Sequence, residues 1–355
     1  MNTRTPRTLP DEIALPLARL GKAVTAGRVS ADVADAALAA VCGIRPEAVG
    51  QVDGLIANLA HLDWRSAPRP GTLLGLLGPN AAVFGILERC PQLAPIFLFH
   101  RNGYVRQRAL ETLREPPAAA FTLAALVLRM NDWVRPVRVV AQYQAERLLP
   151  LTGADVIAAA APFLLDRWRR WGRWEDDSVA VVDAALQRPD VLPLLAERFL
   201  GAAPGPVGAQ LRDALRKPGL DPYLYDLAHN AVNPAVRVLA FNTLIRARAS
   251  WPVGYRKEWI DKQYGVSRQV AVFESRPVHH QHPLPALILA AIADRSAAVR
   301  RAGADALIEH RALFPEIDST VAAMAVDRSP SIRDRAEYLE RKLAEQRGGL
   351  GVATP

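Results

Sequence analysis

The chain has little lysine, little cysteine and few aromatic residues. Only Lys22, Lys217, Lys257, Lys262 and Lys342 are lysines among 44 basic residues. The net charge of +8 would by itself favour nucleic acid, anionic lipid or acidic partners. The arginines that supply it are spread along the chain, so the charge selects no partner class. Cys42 and Cys90 are the only cysteines. That count excludes a disulfide framework, their spacing fits no thiol-based metal or redox site, and both read as small core residues. With aromatics at 6%, the apolar weight falls on Ala, Leu and Val, and the first two are strong helix formers.

Long apolar runs are missing too. The longest, GTLLGLLGPNAAVFGIL at 71–87, is cut by Pro79-Asn80 and is too short to span a bilayer. Asp11, Glu12, Pro16 and Arg19 interrupt any signal-peptide core near the N-terminus. A cytoplasmic protein without membrane contact is expected. Catalytic motifs are absent: there is no G-x-G-x-x-G, G-x-x-x-x-G-K-[ST], H-E-x-x-H or G-x-S-x-G. APGPVG at 203–208 has no lysine and follows no strand. No catalytic residue, cofactor, metal or small-molecule substrate is therefore expected.

What is present is repetition. RNGYVRQRALETL (101–113), NDWVRPVRVVAQYQAERLL (131–149), NPAVRVLAFNTLIRAR (233–248), DRSAAVRRAGADALIEH (294–310) and DRSPSIRDRAEYLERKLA (327–344) share one pattern. Each is a turn, then Val/Ile-Arg, then an apolar-periodic helix. Each follows another apolar helix: 91–99, 118–128, 222–229, 284–293 and 317–326. Weaker hairpins are expected at 154–187 and 190–217. Neither helix of such a hairpin can bury its apolar face alone, and stacked hairpins make one continuous core. The Asp or Asn before the second helix is placed to cap it. Asp294 and Arg300, and Asp327 and Arg333, share a six-residue offset.

The Asp-x-x-x-x-Val/Ile-Arg element at 294–300 and 327–333 resembles the HEAT-repeat family in its short bacterial form. The resemblance implies an all-α fold, a right-handed α-solenoid of about seven helical hairpins. It also implies that Asp and Arg join neighbouring repeats in a ladder. Arg106, Arg135, Arg237, Arg300 and Arg333 are the expected ladder residues, and with Arg138 they belong to the concave second-helix face. The expected organisation is an N-terminal arm (1–29), an irregular helical cap (30–88), repeats (89–248), an inserted loop (249–283), further repeats (284–346) and a disordered tail (347–355).

FLLDRWRRWGRW at 163–174 packs three tryptophans and four arginines into twelve positions. Ile157, Ala161, Leu164, Trp168 and Trp171 fall at steps of four and three, an apolar stripe continued to Gly172. Core and solvated flank is the first reading. A nucleic-acid contact through Arg167, Trp168, Arg170, Trp171, Arg173 and Trp174 is the second. His279, His280 and His282, between Pro277 and Pro283, read as an exposed loop rather than a metal site. The insertion is aromatic and partly strand-like at RQVAVFES. Trp251, Tyr255, Trp259, Tyr264 and Phe273 form its expected protein-binding patch.

Two functions follow as expectations. The first is a non-enzymatic scaffold that binds a protein partner through its concave face or the insertion. The alternative is a nucleic-acid-binding solenoid. Some HEAT-like solenoids are similar to DNA glycosylases for alkylated bases, and that likeness would draw on Trp133, Arg135, Arg138, Tyr143 and Asp183.

Overall fold

The computed structural model describes residues 8–63, 80–167, 172–174, 176–201 and 206–350. Among them the fold is helical apart from one two-stranded sheet. The chain divides into two compact units between Leu194 and Leu195.

The first unit holds α1 (Asp11–Thr25), α2 (Ala31–Cys42), α3 (Val49–Leu59), α4 (Ala81–Arg89), α5 (Ala94–Phe97), α6 (Gly103–Thr112), α7 (Ala120–Arg129), α8 (Arg135–Leu148), α9 (Ala154–Arg167) and α10 (Asp176–Leu186). The expected N-terminal arm is instead a packed helix. Leu17, Leu20 and Val24 of α1 lie at steps of three and four, are buried, and face α2 and α3. Pro16 sits inside α1 and removes one backbone donor without ending the helix.

Hairpin stacking is visible here. Helix α7 packs on α8, and α9 on α10. Second helices line up as α6 against α8 and α8 against α10, and first helices as α7 against α9. The two layers differ in sequence for this reason. Phe121 to Val127 of α7 are all buried, so this helix is apolar all round. Helix α8 buries only Val137, Ala141, Gln144, Ala145 and Leu148, and is amphipathic. Ile157, Ala161 and Leu164 of α9 are buried as the stripe requires. Trp168, Arg170 and Trp171 lie outside the described residues.

Helix α11 (Leu192–Leu200) carries the chain across the division. The second unit holds α12 (Val207–Ala214), α13 (Leu224–Asn230), α14 (Pro234–Ile245), β1 (Arg248–Asp261), β2 (Val266–Pro277), α15 (Leu284–Ile292), α16 (Ala297–Glu309), α17 (Asp318–Ala325) and α18 (Pro330–Leu350). The pairs α13/α14, α15/α16 and α17/α18 are hairpins, and α12, α14, α16 and α18 follow one another in contact. Gly303 sets the closeness of α15 and α16: a Cβ there would come within 2.9 Å of Ala291. Helix α18 runs to Leu350, four residues into the segment expected as a tail.

The expected inserted loop is an antiparallel β hairpin. Its register pairs Arg248 with Pro277 at the base and Asp261 with Val266 at the tip. Two bulges interrupt β1, between Pro252 and Gly254 and between Trp259 and Asp261. Gly265 takes φ +67° in the turn, a conformation favouring glycine. The strict label all-α therefore covers the helical units and not this arm.

Candidate functional site

The bonding of the expected ladder arginines decides whether they are free for a ligand. Arg106 of α6 donates from Nε and Nη2 to the two oxygens of Asp132, at 2.8 and 2.7 Å. Its Nη1 donates to the carbonyls of His100 and Arg101. Arg237 of α14 repeats this on Asp294 and on the carbonyls of Ala231 and Val232. Arg300 of α16 repeats it on Asp327 and on the carbonyls of Asp294 and Arg295. Each Arg thus closes its own turn and clamps the carboxylate of the next hairpin bidentately. The same carboxylates accept from backbone N–H groups ahead of their helices: Asp132 from Val134, Asp294 from Ser296 and Asp327 from Ser329.

Spacing along the chain locates the arm. The rungs join residues 26, 57 and 27 apart. The middle value exceeds the last by 30, which is the length of Arg248–Pro277. Strands β1 and β2 are therefore inserted between two hairpins that remain neighbours.

Arg135 corrects the expectation. It is exposed at the first turn of α8. Arg138 is the equivalent position: its Nη1 donates to Asp132 O, six residues back, as in the three rungs. Arg333 bonds the carbonyls of Asp327 and Arg328 in the same way. It is exposed on the last hairpin, and no carboxylate of the described residues pairs with it.

The first rung is the most buried. Arg106 is 3% and Asp132 5% exposed. Burial alone would push the Asp132 carboxyl up. Hydrogen bonds from Arg106 and Val134, with the charges of Arg129 and Arg106, overcome this and hold it below the ordinary carboxylate value. Asp327 is also held down, chiefly by its bond from Arg300. His100 beside the first rung is pushed down to about 4 by burial, then by the Arg106 charge, against the opposing charge of Asp63. Its Nδ1 accepts from the Asn102 N–H, so the ring is neutral in the fold. Arg106 lines a cleft of about 570 Å³ with Arg101, Arg129 and Trp133, but all three of its guanidinium nitrogens are already engaged.

The arm is bonded at its base and open beyond it. Arg276 clamps Asp221 bidentately and donates to the carbonyls of Leu215 and Lys217. Trp251 is 9% exposed, with Arg216 over its ring at 5.6 Å and its Nε1 donating to Glu274. Trp251 therefore leaves the expected binding patch and becomes an anchor. The bulge after Pro252 is the reason: one extra residue reverses the parity of β1. Trp251 pairs with Glu274, whereas Tyr255, Lys257 and Trp259 pair with Ala271, Gln269 and Ser267, and Phe273 follows the latter alternation. Tyr255, Trp259 and Phe273 thus share the face opposite to Trp251. They are 74%, 44% and 58% exposed. Small or polar residues stand opposite Tyr255 and Trp259, and the Lys257 ammonium lies 3.6 Å from the Trp259 ring centre. Tyr264 is exposed in the turn.

Among the described residues, the remaining expected ones do not assemble into a site. His280 bonds Leu244 O and His282 stacks on Tyr225 at 4.1 Å, so the segment after β2 is partly a packed strap rather than a free loop. No metal-holding group occurs among the described residues. Trp133 and Tyr143 are exposed, whereas Asp183 is buried. Arg173 is exposed and donates its backbone N–H to Asn131, Trp174 is half-buried, and the side chain of Arg167 lies outside the described residues. No helix among the described residues is long and apolar enough to cross a membrane. No family model, no curated protein and no solved structure matches this chain.

Proposed function

We propose that the chain is a non-enzymatic scaffold of the HEAT-repeat kind, a right-handed α-solenoid of about seven hairpins, that holds a protein partner on its β arm. The reading rests on one observation: Tyr255, Trp259 and Phe273 lie exposed on a single face of the arm. Their exposure serves no core. Aromatic residues at the centre of a patch are typical anchors of protein interfaces. A two-stranded hairpin is marginal in water by itself, so a partner that covers the face also stabilises the ribbon. The arm's outer edges are open as well, and an extended segment of a partner can pair there. Repeat rungs supply the rigid mount. The arginines of the three rungs, Arg106, Arg237 and Arg300, are consumed by carboxylates and carbonyls, which removes them from any arginine-lined nucleic-acid track.

The test uses the purified chain as bait beside a Tyr255→Ala/Trp259→Ala/Phe273→Ala variant. The expected result is a bound protein that survives nuclease treatment and is lost from the variant. Capture that disappears with nuclease, or that persists in the variant, contradicts the proposal. The first of these would favour the nucleic-acid reading, with the arm as a stacking platform.

A further inference from the structure

A pocket of about 420 Å³ lies in the first unit, far from any residue of the arm in sequence. Leu98, Leu126 and Leu148 form its buried floor, and Leu38 and Leu113 its half-buried sides. The chemistry of the walls is unusual in what it withholds. Pro91, Pro95, Pro116 and Pro117 all line it, and proline has no backbone N–H to offer. The Thr112 and Thr122 hydroxyls donate to the carbonyls of Arg108 and Ala119. The carbonyls of Leu113 and Arg114 accept from Arg147, and that of Leu110 accepts from Gln144. These bonds from α8 also brace the double-proline turn that forms one wall. At the rim stand one cation, Arg114, and one anion, Glu115, both exposed.

We propose that this pocket binds one small, neutral, apolar organic molecule. The volume falls in the range of small-molecule sites. A peptide segment would bring backbone donors and acceptors, most of which these walls leave unsatisfied, since Gln92, the one side-chain amide in the lining, already donates to Asp35. An anion or cation would meet both signs at the rim and no counter-charge within. The braced turn and the bonded hydroxyls leave the cavity preformed, so little ordering cost opposes binding. Cys42 is the one thiol in the wall; it is half-buried, and burial raises its pKa. It is a reporter for occupancy, while Cys90 is buried and contacts Val29 O at 3.6 Å.

The probe is N-phenyl-1-naphthylamine, a neutral dye that fluoresces in apolar sites. Its anionic analogue, anilinonaphthalene sulfonate, carries the same rings. The native chain is expected to bind the neutral dye saturably and the sulfonate much more weakly. Alkylation of Cys42 by iodoacetamide is expected to slow by about tenfold with the dye at about ten times its Kd, with Cys90 unmodified throughout. Leu113→Trp fills the pocket from a half-buried side and keeps the Leu113 carbonyl bond, so dye binding should fall by about tenfold, or about 1.4 kcal/mol. Should that variant fail to fold, the Cys42 measurement on the native chain decides. An unchanged Cys42 rate, equal affinity for the sulfonate, or full dye binding by folded Leu113→Trp overturns the proposal. None of these outcomes bears on the arm.

Discussion

The repeats and the arm use charge and aromatic surface in opposite ways. In the repeats, Arg106, Arg237 and Arg300 are folded inward onto carboxylates, and two of the three are almost fully buried. In the arm, Tyr255, Trp259 and Phe273 are turned out to solvent while the base alone is packed. A helical hairpin needs its neighbour, and a buried rung fixes which neighbour and in what register. A ribbon of two strands has no interior, so whatever it carries beyond its anchor is surface. The same chain therefore separates the residues that hold it together from those presented outward.

This contrast can be broken or sharpened by graded substitutions. The largest effect is expected at Arg106→Ala. It strips the buried Asp132 of its bidentate partner and leaves two carbonyls without donors, a loss of about 3–5 kcal/mol in denaturant unfolding. A change under about 1 kcal/mol would mean that the rung is ornamental. Next is His100. The fold holds it neutral, with a pKa of about 4, whereas the unfolded chain takes up its proton near the ordinary value of about 6.5. Stability is then full above about pH 6.5 and declines as the pH falls towards 4, by a total on the order of 3 kcal/mol. His100→Gln should flatten unfolding free energy across that window, and an unaltered slope would contradict the assignment. Arg300→Ala is expected to cost only about 1 kcal/mol, because its rung is partly solvated and water screens the pair. A loss there equal to that of Arg106 would erase the distinction between the rungs.

Much of the helical plan is legible in the sequence, because the apolar period and the recurring Val/Ile-Arg mark each second helix. Arg106, Arg237 and Arg300 could be found from the pattern alone. Arg138 was obscured by its neighbour: residues 134–138 read Val-Arg-Pro-Val-Arg, and only the six-residue step from Asp132 selects the second arginine. The α1 helix hides behind Pro10, Pro16 and an acidic start, although Leu17, Leu20 and Val24 carry its period. The arm was half legible. VAVF alternates weakly as a strand, but Pro252 and Gly254 in β1 read as breakers. Simple alternation would put Trp251 and Tyr255 on one face. The bulge that separates them is a tertiary compromise, since Trp251 must reach Arg216 while the distal ribbon follows its own register. The apolar pocket was not legible, because its walls come from four separate stretches of the chain.

The most direct test of the account shortens the arm without disturbing its anchor. Pro252 and Phe273 are register partners, so residues 253–272 can be replaced by Asn-Gly, the residue pair that favours a tight hairpin turn. The shortened chain keeps Trp251, Glu274 and Arg276. Its thermal midpoint should stay within about 2 °C of the parent, and the protein captured by the full-length chain should be lost. A cooperative loss of the helical fold, or capture that survives the deletion, would contradict the claim that the arm presents and the repeats support.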